Sequence, residues 1–166
     1  MSEQITLGWE EWIGLPGLGL PAIKAKIDTG ARTSALHAFD IEAFGPASAP
    51  KVRFAVHPIP DNDMVSIPCL AEIVDRREVT SSNGESELRY VIRSDLEVGG
   101  RRWPIELTLT DRGSMAYRML LGRQALSEEV IVNPSESFCQ AERSYAAYHT
   151  VELRQAAPSR TLRIAV

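Results

Sequence analysis

Asp28, Thr29, Gly30 and Ala31 follow directly on the apolar run Ala22-Ile23-Lys24-Ala25-Lys26-Ile27. A strand that ends in a carboxylate, a hydroxyl and a glycine presents one acid on a sharp turn. Glycine reaches backbone angles closed to other residues, and Asp and Thr side chains bond nearby backbone, so the carboxylate is held in one orientation. The chemistry open to it is general acid and base catalysis. Two carboxylates close enough to share a proton divide that work: the ion takes a proton from water while the neutral partner polarises a carbonyl. Asp61, Asp63, Asp95 and Asp111 are further acids, but none is followed by the Thr/Ser-Gly that would seat it in a matching turn. A second copy of the chain would supply the partner, because a two-fold axis between the turns brings identical residues together.

Far downstream, Met119-Leu120-Leu121-Gly122-Arg123-Gln124-Ala125-Leu126 reads as an apolar strand stopped by glycine and followed by a short helix-capable stretch. In this order the two segments resemble the retropepsin-like aspartic peptidases, and the resemblance covers residues 20–135. Those subunits carry Asp-Thr/Ser-Gly-Ala after one strand and a hydrophobic-hydrophobic-Gly-Arg segment near the end of the core. More narrowly, Lys26 to Ala38 is similar to the bacterial group labelled ATP-dependent zinc protease.

The resemblance implies an all-β, closed-barrel subunit and a homodimeric endopeptidase that hydrolyses peptide bonds by water activated between two Asp28 carboxylates. It assigns Thr29 to bracing the loops at the subunit contact and Gly30 to close backbone approach beside substrate. Ala31, Arg32 and Arg123 are the substrate-binding candidates, and Leu120, Leu121 and Gly122 are supporting core. Many relatives place acidic residues just after the turn, where this chain has Arg32-Thr33-Ser34. Arg32 presents a planar fork suited to carboxylates, and Lys24, Lys26 and Arg123 add positive potential if they face the same way; the plain alternative is solvated surface charge. Some relatives are associated with ligases that append glutamate to a ribosomal protein, so the implied substrate is an acidic or glutamate-extended peptide or protein. A non-catalytic peptide-binding or dimerisation module on the same fold is the competing reading.

The zinc and ATP of that label find no match. His37, His57 and His149 are isolated along the chain, without the paired histidines and intervening glutamate of a zincin. The cluster Gly14-Leu-Pro-Gly17-Leu-Gly19 has no lysine or hydroxyl where a phosphate loop needs one, and Pro21 leads into strand-like residues instead of a dinucleotide-binding helix. It reads as a turn. No metal and no cofactor are expected.

The 166 residues, 44% of them hydrophobic, suffice for one core and are short for two, so residues 1–166 are read as a single domain with a core over 20–135 and a C-terminal extension over 136–166. A net charge of −4 offers no footprint for nucleic acid. Two cysteines, Cys69 and Cys139, no basic-apolar leader and no membrane-length apolar run point to the cytoplasm and away from membranes. Neither thiol is assigned chemistry.

The elements that must position the turn are antiparallel strands: stretches rich in Val, Ile, Leu, Phe and Thr alternate with Gly, Pro and Asn. Strands are expected at residues 5–13, 22–27, 34–44, 52–57, 65–74, 88–98, 103–110, 117–121 and 130–132, with one helix near 123–127. Gly99-Gly100 marks a tight hairpin. The polar stretch Asp75 to Glu87 reads as a mobile hairpin tip, which the resemblance equates with a flap over the cleft; a solvated loop is the alternative. Ile5-Leu7-Trp9 and Leu162-Ile164-Val166 alternate as edge strands that either pair within the chain or build a subunit contact. His37 either lines the cleft or decorates the sheet, while Trp9, Trp12 and Trp103 are expected in core or cross-strand pairs.

Overall fold

The computed structural model describes residues 3–80, 83–111, 116–126, 128 and 130–148. Its strands are β1 (Ile5–Leu7), β2 (Glu10–Leu15), β3 (Leu20–Asp28), β4 (Ser34–His37), β5 (Phe39–Phe44), β6 (Lys51–Val56), β7 (Ile67–Thr80), β8 (Ser86–Val98), β9 (Arg101–Thr110), β10 (Met119–Gly122) and β11 (Val130–Val132). The helix α1 (Arg123–Leu126) follows β10, a turn of 3-10 helix spans Pro16–Leu18, and residues 146–148 are also helical. No helix among the described residues is long and apolar enough to cross a membrane.

Six strands close into a barrel in the order β2-β3-β10-β4-β9-β8, and the ring is completed where Gly14 of β2 pairs with Glu97 of β8. Closure removes the open edges that a flat sheet would leave. Alternation decides what fills it: Ala25, Met119, Leu36 and Leu109 share one level, and Ile27 with Leu121 and Leu107 with Ile92 occupy others, all buried. From β8 the sheet continues outward through β7, β6 and β5.

Local chemistry accounts for the two sharpest reversals. Gly99 and Gly100 both adopt left-handed backbone, φ 59° and 75°, between the paired residues Val98 and Arg101. The Gly14–Gly19 segment is the turn joining β2 to β3, with Pro16 opening the 3-10 turn and Gly19 at φ 72° closing it.

Several expected boundaries change. The strand expected over 5–13 breaks after Leu7: β1 leaves the barrel to pair in parallel with β11, and β2 begins at Glu10 and runs on to Leu15. The strand expected over 34–44 breaks at Ala38, because β4 pairs with β9 in the barrel while β5 pairs with β6 in the extension. The stretch Asp75 to Glu87 is mostly paired strand, in register from Asp75 with Val91 to Thr80 with Ser86, so only the tip is loop. The expected strand over 161–166 lies outside the described residues.

Residues 134–148 form a strap packed against β2 and β3. Glu11, fully buried, accepts hydrogen bonds from the backbone N–H groups of Gly8 (2.8 Å), Cys139 (2.7 Å) and Gln140 (3.1 Å). The Tyr148 hydroxyl, also fully buried, accepts from Ala22 N–H at 3.1 Å and donates to the Ala22 carbonyl. Arg143 donates to the Pro21 carbonyl at 3.0 Å.

Candidate active site

Asp28 closes β3 in parallel register with Gly122, the last residue of β10. The chain then turns back on itself: the Gly30 N–H donates to Asp28 Oδ1 at 3.0 Å and the Ala31 N–H to the Asp28 carbonyl at 3.2 Å. The carboxylate is half-buried, while Thr29 and Gly30 are exposed beside it. A fixed acid at the rim of an apolar barrel, open on one side, can meet a substrate and move a proton.

Contacts from distant parts of the chain brace this turn. Arg123 Nη1 donates to the carbonyls of Thr29 and Gly30 at 3.1 and 3.3 Å, and the N–H groups of Arg123 and Gln124 donate to Ala31 and Arg32 at 2.8 and 3.1 Å. Beneath it, the Gly122 N–H donates to the buried hydroxyl of Ser34 at 3.0 Å. A side chain at Gly122 would place its Cβ 2.6 Å from the Thr33 carbonyl oxygen and 2.9 Å from that of Ala31, so only glycine fits. On the other flank, Ile27 N–H bonds the Trp9 carbonyl at 2.8 Å. Arg123 thus contacts the turn's own backbone, Ala31 is half-buried within it, and Arg32 projects into solvent.

A polar chain runs from Ser34 to the β7–β8 hairpin. Thr108 donates to the Ser34 carbonyl at 2.9 Å, Arg89 Nη1 reaches Thr108 at 3.4 Å, and Arg89 Nε pairs with Glu87 at 2.7 Å. Thr110 donates to the same Glu87 oxygen at 2.8 Å. Arg89 and Thr108 are buried, and hydrogen bonds to charged partners offset the desolvation this entails. Spacing along the chain singles out neither Ser34 nor Thr108 nor Arg89; only strand register brings them together.

His37 is buried at the end of β4 with Nε2 3.9 Å from Asp111 Oδ1. Trp12 is core, Trp103 donates to the Ala125 carbonyl at 2.8 Å, and Trp9 is 40% exposed, edge-on to Tyr117. The Tyr117 hydroxyl donates to Glu10, and burial together with that carboxylate pushes its pKa up to about 12. Cys69 and Cys139 are unpaired thiols; burial raises Cys69 to about 12, which leaves it inert. Among the described residues no three His, Cys, Asp or Glu side chains converge as metal ligands.

A family model described as the retropepsin-like aspartic endopeptidase RimB matches residues 6–143. Curated relatives include a probable alpha-L-glutamate ligase of Shewanella pealeana, 53% identical over 137 residues, and one of Parasynechococcus marenigrum, 50% identical over 137. The matches cover 82% of this chain but only 30% and 29% of those proteins, so the chain spans less than a third of their length. Among solved structures, a Legionella pneumophila protein of unknown function aligns with a TM-score of 0.69 and 27% identity, covering 83% of this chain and 98% of that one.

Proposed function

Because the chain belongs to the RimB-like family of retropepsin-like aspartic endopeptidases, we propose that it is one subunit of a homodimeric peptidase whose reacting groups are two copies of Asp28. The observation that carries this reading is the turn itself, where a single half-buried carboxylate is pinned by its own loop, by Arg123 and by the Gly122–Ser34 contact. Each chain offers one such turn, and a two-fold axis supplies the second.

In the reaction, the shared proton sits on one Asp28 while the other, ionised, takes a proton from a water poised between them. The resulting nucleophile attacks the peptide carbonyl, which the protonated Asp28 polarises by donating to its oxygen. Collapse of the tetrahedral intermediate returns a proton to the leaving nitrogen and restores the singly protonated pair. No metal or cofactor enters the scheme. Thr29, exposed next to the axis, braces one turn against the other, and Gly30 leaves room for substrate backbone.

Acidic or glutamate-bearing peptides are the proposed substrates, and a reducing cytoplasm suits the two free thiols. The ligase name of the relatives belongs to proteins of which this chain matches 30% or less, and it supports a glutamate-containing substrate more directly than it supports ligation here. The exposure of Arg32 at the rim supports this reading, since a solvent-facing guanidinium attracts carboxylates.

The decisive experiment couples peptidase activity to solution mass. Asp28→Asn is expected to abolish cleavage of an acidic peptide library while dimer mass persists, and the parent's specific activity is expected to fall on dilution as dimers dissociate. A parent that binds these peptides without cutting them would establish the binding-module reading instead.

A further inference from the structure

The sheet face that carries Asp28 continues away from the turn, and at its far end it meets the strap. In the parallel register of β3 and β10, Leu120 lies beside Lys26 and Met119 beside Ala25, so one step back Arg118 falls beside Lys24. On its other side, the Arg118 carbonyl accepts from the His37 N–H at 2.8 Å. Ala25 and Met119 are fully buried in the barrel; alternation therefore turns Lys24, Lys26, Asp28, Leu120 and Arg118 to the opposite face. Lys24 stands four residues from Asp28, about 13 Å along the strand.

Aromatic rings of the strap close over this end. Tyr145 packs edge-on against Trp12 with ring centroids 4.9 Å apart. The Lys24 ammonium lies over Trp12, Phe138 and Tyr145 at 5.0, 5.6 and 6.0 Å, so its charge is met by ring faces. Among the described residues no ring stands under Arg118 in this way. Its Nε and the Tyr145 hydroxyl are both buried and, among the described residues, neither finds a hydrogen-bond partner. Arg118 lies close enough to act on that hydroxyl through space: burial raises the Tyr145 pKa, and the positive charge of Arg118 pulls it back. A buried donor without an acceptor costs about 1–3 kcal/mol, more when charged. Two such donors beside a further cation call for an anionic acceptor with two oxygens.

We propose that Arg118, Tyr145 and Lys24 form a carboxylate subsite that receives an acidic side chain of the substrate a few residues from the bond cut at Asp28. The placement relative to the cut rests on the peptidase reading; the subsite itself does not. The strap is then part of substrate recognition, because it supplies Tyr145 and the ring that steadies Lys24.

The test uses the full chain carrying Asp28→Asn, so that binding is read without turnover. The probes are two amidated peptides of one sequence, one with glutamates and one with glutamines in their place. By calorimetry the glutamate peptide is expected to bind about ten-fold tighter, the scale of one charge-assisted pair. Arg118→Met should abolish that preference, Tyr145→Phe should reduce it, and Arg118→Lys should restore part of it, all with melting temperatures near the parent's. In protein retaining Asp28, the same changes should raise KM for the glutamate peptide with little effect on kcat. Equal affinity for the two peptides, or a preference that survives Arg118→Met, overturns the subsite. A preference lost as expected in a chain that cleaves nothing upholds the subsite and overturns the peptidase reading.

Discussion

The turn after β3 is held by residues far from it in the chain, whereas the tip of the β7–β8 hairpin is held by its neighbours. Arg123 bonds carbonyls 93 and 94 residues upstream, and Ser34 meets Gly122 across 88. The hairpin pairs residue by residue back from its tip, its outer arm alternates between exposed and half-buried, and Leu88 stands 68% exposed. Its tip is tied by a bond between the Thr80 and Ser86 hydroxyls, and lower down Arg77 reaches Asp75 and, on the adjacent β9, Glu106, both at 2.8 Å. The contrast teaches where tolerance lies. The carboxylate keeps its orientation through close-packed backbone from distant strands, while the tip of the hairpin rests on pairs between its own two strands.

Gly122→Ala should have the largest effect. The new methyl meets carbonyl oxygens that cannot swing aside, so we expect overpacking of about 3 kcal/mol. At this chain length that is a drop in Tm of roughly 6–12 °C, accompanied by loss of cleavage. An alanine variant as stable as the parent would refute the close packing beneath Asp28. Ser34→Ala is next: it leaves the Gly122 N–H without its acceptor and should cost about 1–2 kcal/mol, with faster amide exchange at Gly122. Ser34→Thr keeps the hydroxyl and should recover most of the loss.

The smallest effect belongs to the hairpin. Arg77 and its partners are about a third or more exposed, so Arg77→Ala should change stability by less than about 1 kcal/mol. Its pH dependence sharpens the point. The Arg76 backbone N–H, and then the Arg77 side chain, hold the Asp75 carboxyl below its ordinary range. A carboxyl whose folded value is depressed stabilises the fold above the unfolded value of about 3.9 and loses that contribution as pH falls through the folded one. The difference in Tm between parent and Arg77→Ala should therefore shrink on acidification below about pH 4. A gap that stays constant down to pH 2 would remove the ion pair as its cause.

Much of this molecule is legible along the chain where a few adjacent residues settle the backbone. Gly99-Gly100 and Pro16 to Gly19 are turns because of their own allowed angles, and the strand ranges follow the alternation of Val, Ile and Leu. Legibility fails where a strand changes partner with no turn residue to mark the place. No Gly, Pro or Asn separates Ser34 from Phe44, yet β4 belongs to the barrel and β5 to the extension. Gly8 interrupts the first expected strand because a Cβ there would sit 2.2 Å from the Glu136 carbonyl oxygen, a neighbour 128 residues away. Glu11 reads as a surface acid beside Glu10, yet it is fully buried and anchors the strap.

The order of residues alone was enough to single out the candidate for the chemistry, since only Asp28 is followed by Thr-Gly, and to show that the chain would be strands joined by glycine and proline turns. What stands around that residue follows only from the folded barrel: Gly122 and Ser34 beneath it, Arg123 across it, and Arg118 with Tyr145 farther along. The physical reason is range. Backbone preference acts over a few neighbouring residues, whereas burial, ring closure and hydrogen bonds between distant strands exist only once the barrel has closed.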